Sequence, residues 1–223
     1  MYPELHKFPY FSYDTETTGL VYRRDTVFGF SISTPDSADY YYDVRENPKS
    51  IQWFNDLICT YRGTIICHNA SFDYRMSHYT GLYLPLEQLD DTVIRAALIN
   101  EWEKGYSLDY LGEKYLGATK DTEIYEEAAK LLGGRATRNV QIGKISQLPS
   151  SMVGKYAKQD TRLTLDLWLW QEEEIKRQNI RKIVDFERSV MPIIISTEMA
   201  GVNVDLEQAE RSKLALTKKI NIA

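Results

Sequence analysis

Near its N-terminus the chain reads Phe8-Pro9-Tyr10-Phe11-Ser12-Tyr13-Asp14-Thr15-Glu16. Residues 8–14 are dense in aromatic side chains and fit a β-strand. Residues two apart on a strand point to the same face, so Asp14 and Glu16 project together at its end. Carboxylates held side by side repel, and a fold keeps such a pair at low cost only where water or a cation neutralises it. Alone, an acid-x-acid triplet is a weak signal, because a solvated strand end looks the same.

Working outward, residues 26–33 and 40–44 are again rich in aromatic and β-branched side chains, with the turn signal Thr34-Pro35-Asp36 between them. Three short strands in succession predict an antiparallel meander. Residues 49–61 place Ile51, Phe54, Leu57 and Ile58 at helical spacing. Residues 64–67 are a brief apolar run suited to a buried strand, and helices are expected over 71–78, 92–100 and 108–116. Strand, helix, strand, helix after a meander predicts an α/β fold, a mixed sheet flanked by helices. A long helix is expected over 150–178, with Pro149 just ahead of it. A second spans 181–200, where Pro192 predicts a kink or a restart. No internal repeat or low-complexity tract is present.

The 223 residues suit one sizeable α/β domain with a short appendage. The 43% apolar and 26% charged residues support a core of normal density. No run approaches the roughly 18 apolar residues of a membrane span, and Met1-Tyr2-Pro3-Glu4-Leu5-His6 lacks the charged-then-apolar order of a signal peptide. Cys59 and Cys67 match no zinc spacing, which points to a reducing cytoplasm. Cys67, within an apolar run, reads as core filling. The formal charge of −5 argues against a broad basic surface for phosphate. An enzyme that holds divalent cations in a carboxylate cluster escapes that objection, since the cations meet the phosphate.

Two further segments carry acids. Asn69-Ala70-Ser71-Phe72-Asp73 follows the 64–67 run directly. On one reading Asn69 or Ser71 caps a helix and Asp73 complements its N-terminal dipole; on the other, Asp73 joins a site. His68 has no partner at ligand spacing and reads as structural. Tyr156-Ala157-Lys158-Gln159-Asp160 sets a phenol and a carboxylate four residues apart, on one helix face. The stripe continues through Leu163, Leu167 and Trp170, so Asp160 lies in line with the apolar face. Carboxylates are almost never fully buried unless paired. Asp160 is therefore a partly exposed acid at the stripe's edge, a partner of Arg162, or a ligand of a metal ion shared with Asp14 and Glu16.

Together, Asp14, Glu16, Asp73 and Asp160, with Tyr156 four before the last, resemble the tyrosine-bearing branch of the DEDD exonuclease superfamily. Its blocks look like D-x-E, an N…F-D segment and Y-x-x-x-D. The middle block here, Asn69-Ala70-Ser71-Phe72-Asp73, is one residue shorter than in some members and matches the form found in proofreading domains. Gly19-Leu20, Asp91-Thr92 and Ser107-Leu108-Asp109-Tyr110-Leu111-Gly112 look like the proofreading domain of family A DNA polymerases, with Asp90 and Asp91 as helix caps rather than ligands. Glu187, Pro192, Glu198, Gly201-Val202 and Val204-Asp205 are similar to the segment leading from exonuclease to thumb in those enzymes. The resemblance covers roughly residues 8–205.

The resemblance implies an RNase H-like fold, with an exonuclease domain at 1–180 and a helical linker at 181–223 toward a polymerase thumb and palm. It implies a fragment of a longer, phage-like polymerase, with the polymerase in cis or as a separate chain. The activity implied is metal-dependent 3′-5′ hydrolysis at single-stranded DNA ends, in a bacterial host's cytoplasm and with no membrane partner. The cofactor implied is a pair of Mg²⁺ ions, with Mn²⁺ as substitute. Asp14 would bridge both ions, Glu16 and Asp160 would complete the hydroxide-generating site, and Asp73 would serve the second ion partly through water. Tyr156, with an ordinary pKa near 10, would orient water rather than act as base. Leu20, Asn69 and Phe72 would meet the terminal nucleotides, although Phe72 reads equally well as core. A 3′-5′ exoribonuclease and a silent structural domain are the alternatives. Residues 133–147 carry Arg135, Arg138 and Lys144 and no acids, and read as a solvated surface loop or as a mobile basic loop on the DNA backbone.

Overall fold

The computed structural model describes residues 2–118 and 123–220, with backbone alone at 138 and 139. Tyr10–Thr17 (β1), Val27–Ser33 (β2) and Asp39–Asp43 (β3) form the expected antiparallel meander. Lys49–Ile58 (α1) leads to Thr64–Cys67 (β4), which pairs in parallel with β1. Ala70–Thr80 (α2) then leads to a strand the sequence did not signal, Leu89–Asp91 (β5), parallel to β4. Only three residues long and acidic at its end, it has too little pattern to read. The sheet order is β3-β2-β1-β4-β5, a mixed sheet as expected.

Helices cover both faces. Thr92–Ile99 (α3) and Leu108–Leu116 (α4) follow β5, and Glu123–Leu132 (α5) and the short Arg138–Gln141 (α6) precede Ser150–Gln178 (α7). Arg181–Ala200 (α8) is one helix with Pro192 inside it, so of the kink or restart expected there the restart does not occur, and Leu206–Ile220 (α9) follows. Among the described residues no helix is long and apolar enough to cross a membrane.

Tyr13 of β1 and Phe30 of β2 turn toward α1, where Phe54 stacks on Tyr13 with ring centroids 5.3 Å apart. These rings are fully buried, each contributing about 1.5–3 kcal/mol by burial. The opposite face is different. There α7 sits on small polar residues: Ser12 donates to the Thr161 carbonyl at 2.7 Å and Ser31 to the Ala157 carbonyl at 3.0 Å. Ser33 donates to the Thr161 hydroxyl at 3.0 Å. Backbones can approach closely because nothing larger intervenes. Toward the sheet α7 buries Ala157, Thr161, Thr164, Leu165 and Trp168, while the predicted stripe packs beside it, Tyr156 and Leu167 buried and Leu167 with Trp170 set against Ala96 of α3 and Leu111 of α4. Asp160 is half-buried, at the edge of the packed face.

The chain divides into two compact units, residues 1–192 and 193–223. The first takes in the start of α8, where Arg188 donates to the Leu89 carbonyl at 2.9 Å. In the second, α9 is exposed throughout.

Candidate active site

Strands β1, β4 and β5 run parallel, so their carboxyl ends open on one edge, the usual place for a site in such a sheet. Pairing of β1 with β4 stops at Ser12 and Ile66, which leaves Asp14 and Glu16 beyond it. Both share the strand face of Ser12, whose hydroxyl reaches α7. They therefore look toward the helix that carries Tyr156 and Asp160. Asp14, Glu16, Tyr156 and Asp160 line one cleft of about 240 Å³, walled by Leu20, Phe72, Ile142 and Ile145. Asp14, Tyr156 and Asp160 also line a second cleft of about 390 Å³, with His68, Asn69, Tyr106 and Asp109. The acids stand between the two.

Asp73 is placed differently. It lies on α2, is 1% exposed, and its Oδ1 accepts from the Thr15 amide at 3.1 Å and the Thr15 hydroxyl at 2.7 Å. Burial, and then the charge of Asp14, push its carboxyl well above the usual carboxylate range, while the two Thr15 donors oppose the rise. Three acids thus line the cleft, and the fourth backs Asp14 from behind the strand.

Tyr156 is buried in an apolar cluster with Phe28, Tyr125, Ile145 and Val153. A register shift pairs Gly29 with Glu16 but Val27 with Thr17, so Phe28 is the extra residue of a bulge. Bulges re-aim side chains next to sites, and this one supplies part of the bed for the Tyr156 ring. Burial raises the Tyr156 phenol far above its ordinary value, and Asp160 and Glu16 raise it further. Both effects favour the protonated phenol.

Several expectations need correction. Asn69 makes no side-chain cap; it adopts a left-handed conformation with φ 76°. The cap of α2 comes from Asp91, which accepts from the Asn69 and Ala70 amides at 3.0 and 2.8 Å and from Val93 of α3 at 2.8 Å. Asp91 therefore caps two helices. Asp90 is no cap: it lies buried in an ion pair with Arg95 at 2.6 Å and accepts from Trp168 Nε1 at 2.9 Å. Arg162 turns away from Asp160 toward Asp39, 2.7 Å distant. His68 meets the Thr92 hydroxyl at 2.8 Å and also borders the second cleft. Leu20, 78% exposed, and half-buried Phe72 border the first cleft, whereas Asn69 borders the second.

Residues 133–147 are not an open loop. Gln141 and Ile145 are buried, and Lys144 donates inward to the Gly133 carbonyl at 2.8 Å. Arg135 stays exposed, and the Arg138 side chain lies outside the described residues. The segment's contribution to the cleft is apolar, through Ile142 and Ile145. Two isoleucines three apart in a polar stretch were the signal for it. Thr15 gave none, since its role depends on Asp73.

The acidic donors in the cleft are the carboxylates of Asp14, Glu16 and Asp160, oxygen ligands of the kind hard divalent cations prefer. Asp73, its ionisation opposed by Asp14, sits where added positive charge is favourable. Among the described residues, however, no three His, Cys, Asp or Glu side chains stand ready to grip one ion together. That arrangement suits Mg²⁺, which uses one or two carboxylates and completes its shell with water and phosphate oxygens. The residues fit such an ion, though not as a closed cage.

Among solved structures, Brucella melitensis NrnC superposes with TM-score 0.69 at 18% identity, covering 92% of this chain and 94% of that one. Its form with bound Mg²⁺ gives 0.66 over the same shares. The POL domain of Pol1 from M. smegmatis, in complex with DNA primer-template and dNTP, also gives 0.69, at 15% identity over 99% of this chain and 35% of that one. The sheet is therefore of the RNase H-like kind found in exonucleases. A family model described as 3′-5′ exonuclease, of the DNA polymerase A type, matches residues 1–175, and the chain belongs to that family. DNA polymerase DpoZ of Vibrio phage phiVC8 is 54% identical over 94% of this chain, and DpoZ of Salmonella phage PMBT28 is 41% identical over 99%. The chain spans 35% of the length of each.

Proposed function

We propose that this exonuclease domain removes nucleotides from the 3′ end of single-stranded DNA, as the proofreading part of a longer, phage-type DNA polymerase. One observation carries the reading: Asp14, Glu16, Asp160 and Tyr156 share a cleft with the apolar wall of Leu20 and Phe72. The polymerase relatives favour DNA and a polymerase in cis, and their phage hosts favour a bacterial cytoplasm.

Asp14, Glu16 and Asp160 would hold two divalent ions, Asp73 adding charge from behind Asp14. Bound Mg²⁺ supplies an activated water and neutralises charge at phosphorus, and Mn²⁺ accepts the same oxygens. The NrnC structure with bound Mg²⁺ agrees with that choice. Tyr156, which retains its proton, donates a hydrogen bond that orients the attacking water. Leu20 wedges against the terminal base, and Phe72 offers it a ring face, contacts that tolerate any sequence. Asn69 faces the strand in the second cleft.

The test is degradation of 5′-labelled single-stranded DNA and RNA, each with Mg²⁺ and with chelator. The reading expects a ladder from the DNA 3′ end that vanishes with chelator. A ladder on RNA alone would make the domain an exoribonuclease, and no cleavage of either would make it a structural module.

A further inference from the structure

Among the described residues Trp102 has the most exposed aromatic ring, at 85%. The other tryptophans are engaged: Trp53 stacks on Tyr2, Trp170 on Tyr115, and Trp168 is buried under Arg95. Single exposed apolar residues are ordinary. What sets Trp102 apart is the rigidity of its mount. It lies between α3 and α4, next to Glu103, whose side chain is 1% exposed. That carboxylate accepts from Asn100 Nδ2 at 2.6 Å, the Tyr110 hydroxyl at 2.9 Å, Lys114 Nζ at 2.7 Å and the Tyr115 hydroxyl. Asn100 in turn accepts the Trp102 amide on its side-chain oxygen at 3.2 Å and the Tyr106 hydroxyl on its carbonyl at 3.2 Å.

The same clamp therefore fixes the backbone that carries Trp102 and the hydroxyl of Tyr106, and Tyr106 walls the second cleft together with Asp14, Tyr156 and Asp160. On the nuclease reading, the first cleft takes the terminal nucleotide and the second takes the strand behind it. We propose that Trp102 is a stacking platform for an upstream base of that strand. A ring carried on backbone already ordered before binding adds no loop-ordering cost to the contact, and every base presents a face to it. Stacking of one base on an aromatic ring corresponds to roughly 5- to 150-fold in affinity.

The experiment uses the full chain, Trp102→Ala and Trp102→Phe, with deoxythymidylate strands of two and about ten nucleotides. In chelator, where nothing is cut, the long strand should quench tryptophan emission in the parent but not in Trp102→Phe. With Mg²⁺, the preference in kcat/KM for the long over the short strand should fall at least fivefold in Trp102→Ala, through KM, and return in Trp102→Phe. An unquenched parent saturated with strand, or an unaltered length preference in Trp102→Ala, overturns the platform. Quenching without any hydrolysis would instead overturn the nuclease reading and leave the platform standing.

Discussion

Thr15 holds Asp73 by two donors on one oxygen, its amide at 3.1 Å and its hydroxyl at 2.7 Å. Thr15 lies between Asp14 and Glu16, and strand alternation turns its side chain to the other face of the sheet. A single stretch of β1 thus offers two acids to α7 and anchors a third on α2. Asp73 is held where burial and Asp14 both resist its ionisation. The site stores electrostatic cost in the metal-free protein.

Asp73→Asn should expose that cost. An acid whose pKa is raised by folding binds its proton more tightly in the fold, so metal-free stability falls as pH rises above the ordinary carboxylate range. Asparagine cannot ionise and still accepts from Thr15. In chelator at pH 7 the variant should melt higher than the parent, by about 2–4 °C per kcal/mol relieved, while its activity with Mg²⁺ drops by about 10²-fold or more. Melting curves between pH 4 and 8 decide it, and a variant that melts lower at pH 7 would refute the electrostatic account.

Divalent cations should stabilise the parent. Binding to the folded state alone adds about 2.7 kcal/mol at a hundred times the dissociation constant. Mg²⁺ should raise the melting temperature of the parent and have little effect on Asp14→Ala. Equal shifts in both proteins would place the ions elsewhere.

Kinetics should separate the phenol from the acids. Asp14→Ala and Asp160→Ala are expected to lose about 10³-fold or more in kcat, whereas Tyr156→Phe, which removes one donor, loses about 10- to 10²-fold. Circular dichroism checks that the folds are intact. Equal losses for Tyr156→Phe and Asp160→Ala would give the phenol a larger part than orienting water.

The buried pair Asp90–Arg95 bears on stability alone. Arg95→Met leaves Asp90 without its cation in a buried setting, which costs about 3–5 kcal/mol. The double change Asp90→Asn with Arg95→Met should recover part of that loss. Urea unfolding of the single and double variants tests the order, and a double variant weaker than Arg95→Met would contradict it.

The packing of α7 was the least legible part of the sequence. Hydrophobic periodicity picks out Leu163, Leu167 and Trp170, of which Leu167 and Trp170 pack on α3 and α4, but the helix meets the sheet through Ala157 and Thr161, opposite Ser12, Ser31 and Ser33. Small polar residues on both partners carry no hydrophobic signal, because their value lies in letting two backbones approach. Nearby Gly154 shows the same tightness, since a Cβ there would stand 2.7 Å from Tyr41 Cδ1. Ala157→Leu, which completes an apolar pattern on paper, should therefore destabilise by about 1–3 kcal/mol through overpacking. Denaturant midpoints would show it, and an unchanged midpoint would mean the interface is looser than described.

Order and local geometry were available from the sequence alone. That Asp14 and Glu16 share a face, that Tyr156 and Asp160 share another, and that strands alternate with helices around them all follow from periods of two and of 3.6 residues, properties of neighbouring positions. Tertiary structure alone decided which face α7 turns to the sheet, that Asp91 rather than Asn69 caps α2, that Asp73 stands behind the cleft on Thr15, and that Ile142 and Ile145 wall it. Each of these depends on residues far apart in the chain meeting in space, and periodicity along one segment carries no record of what is packed against it.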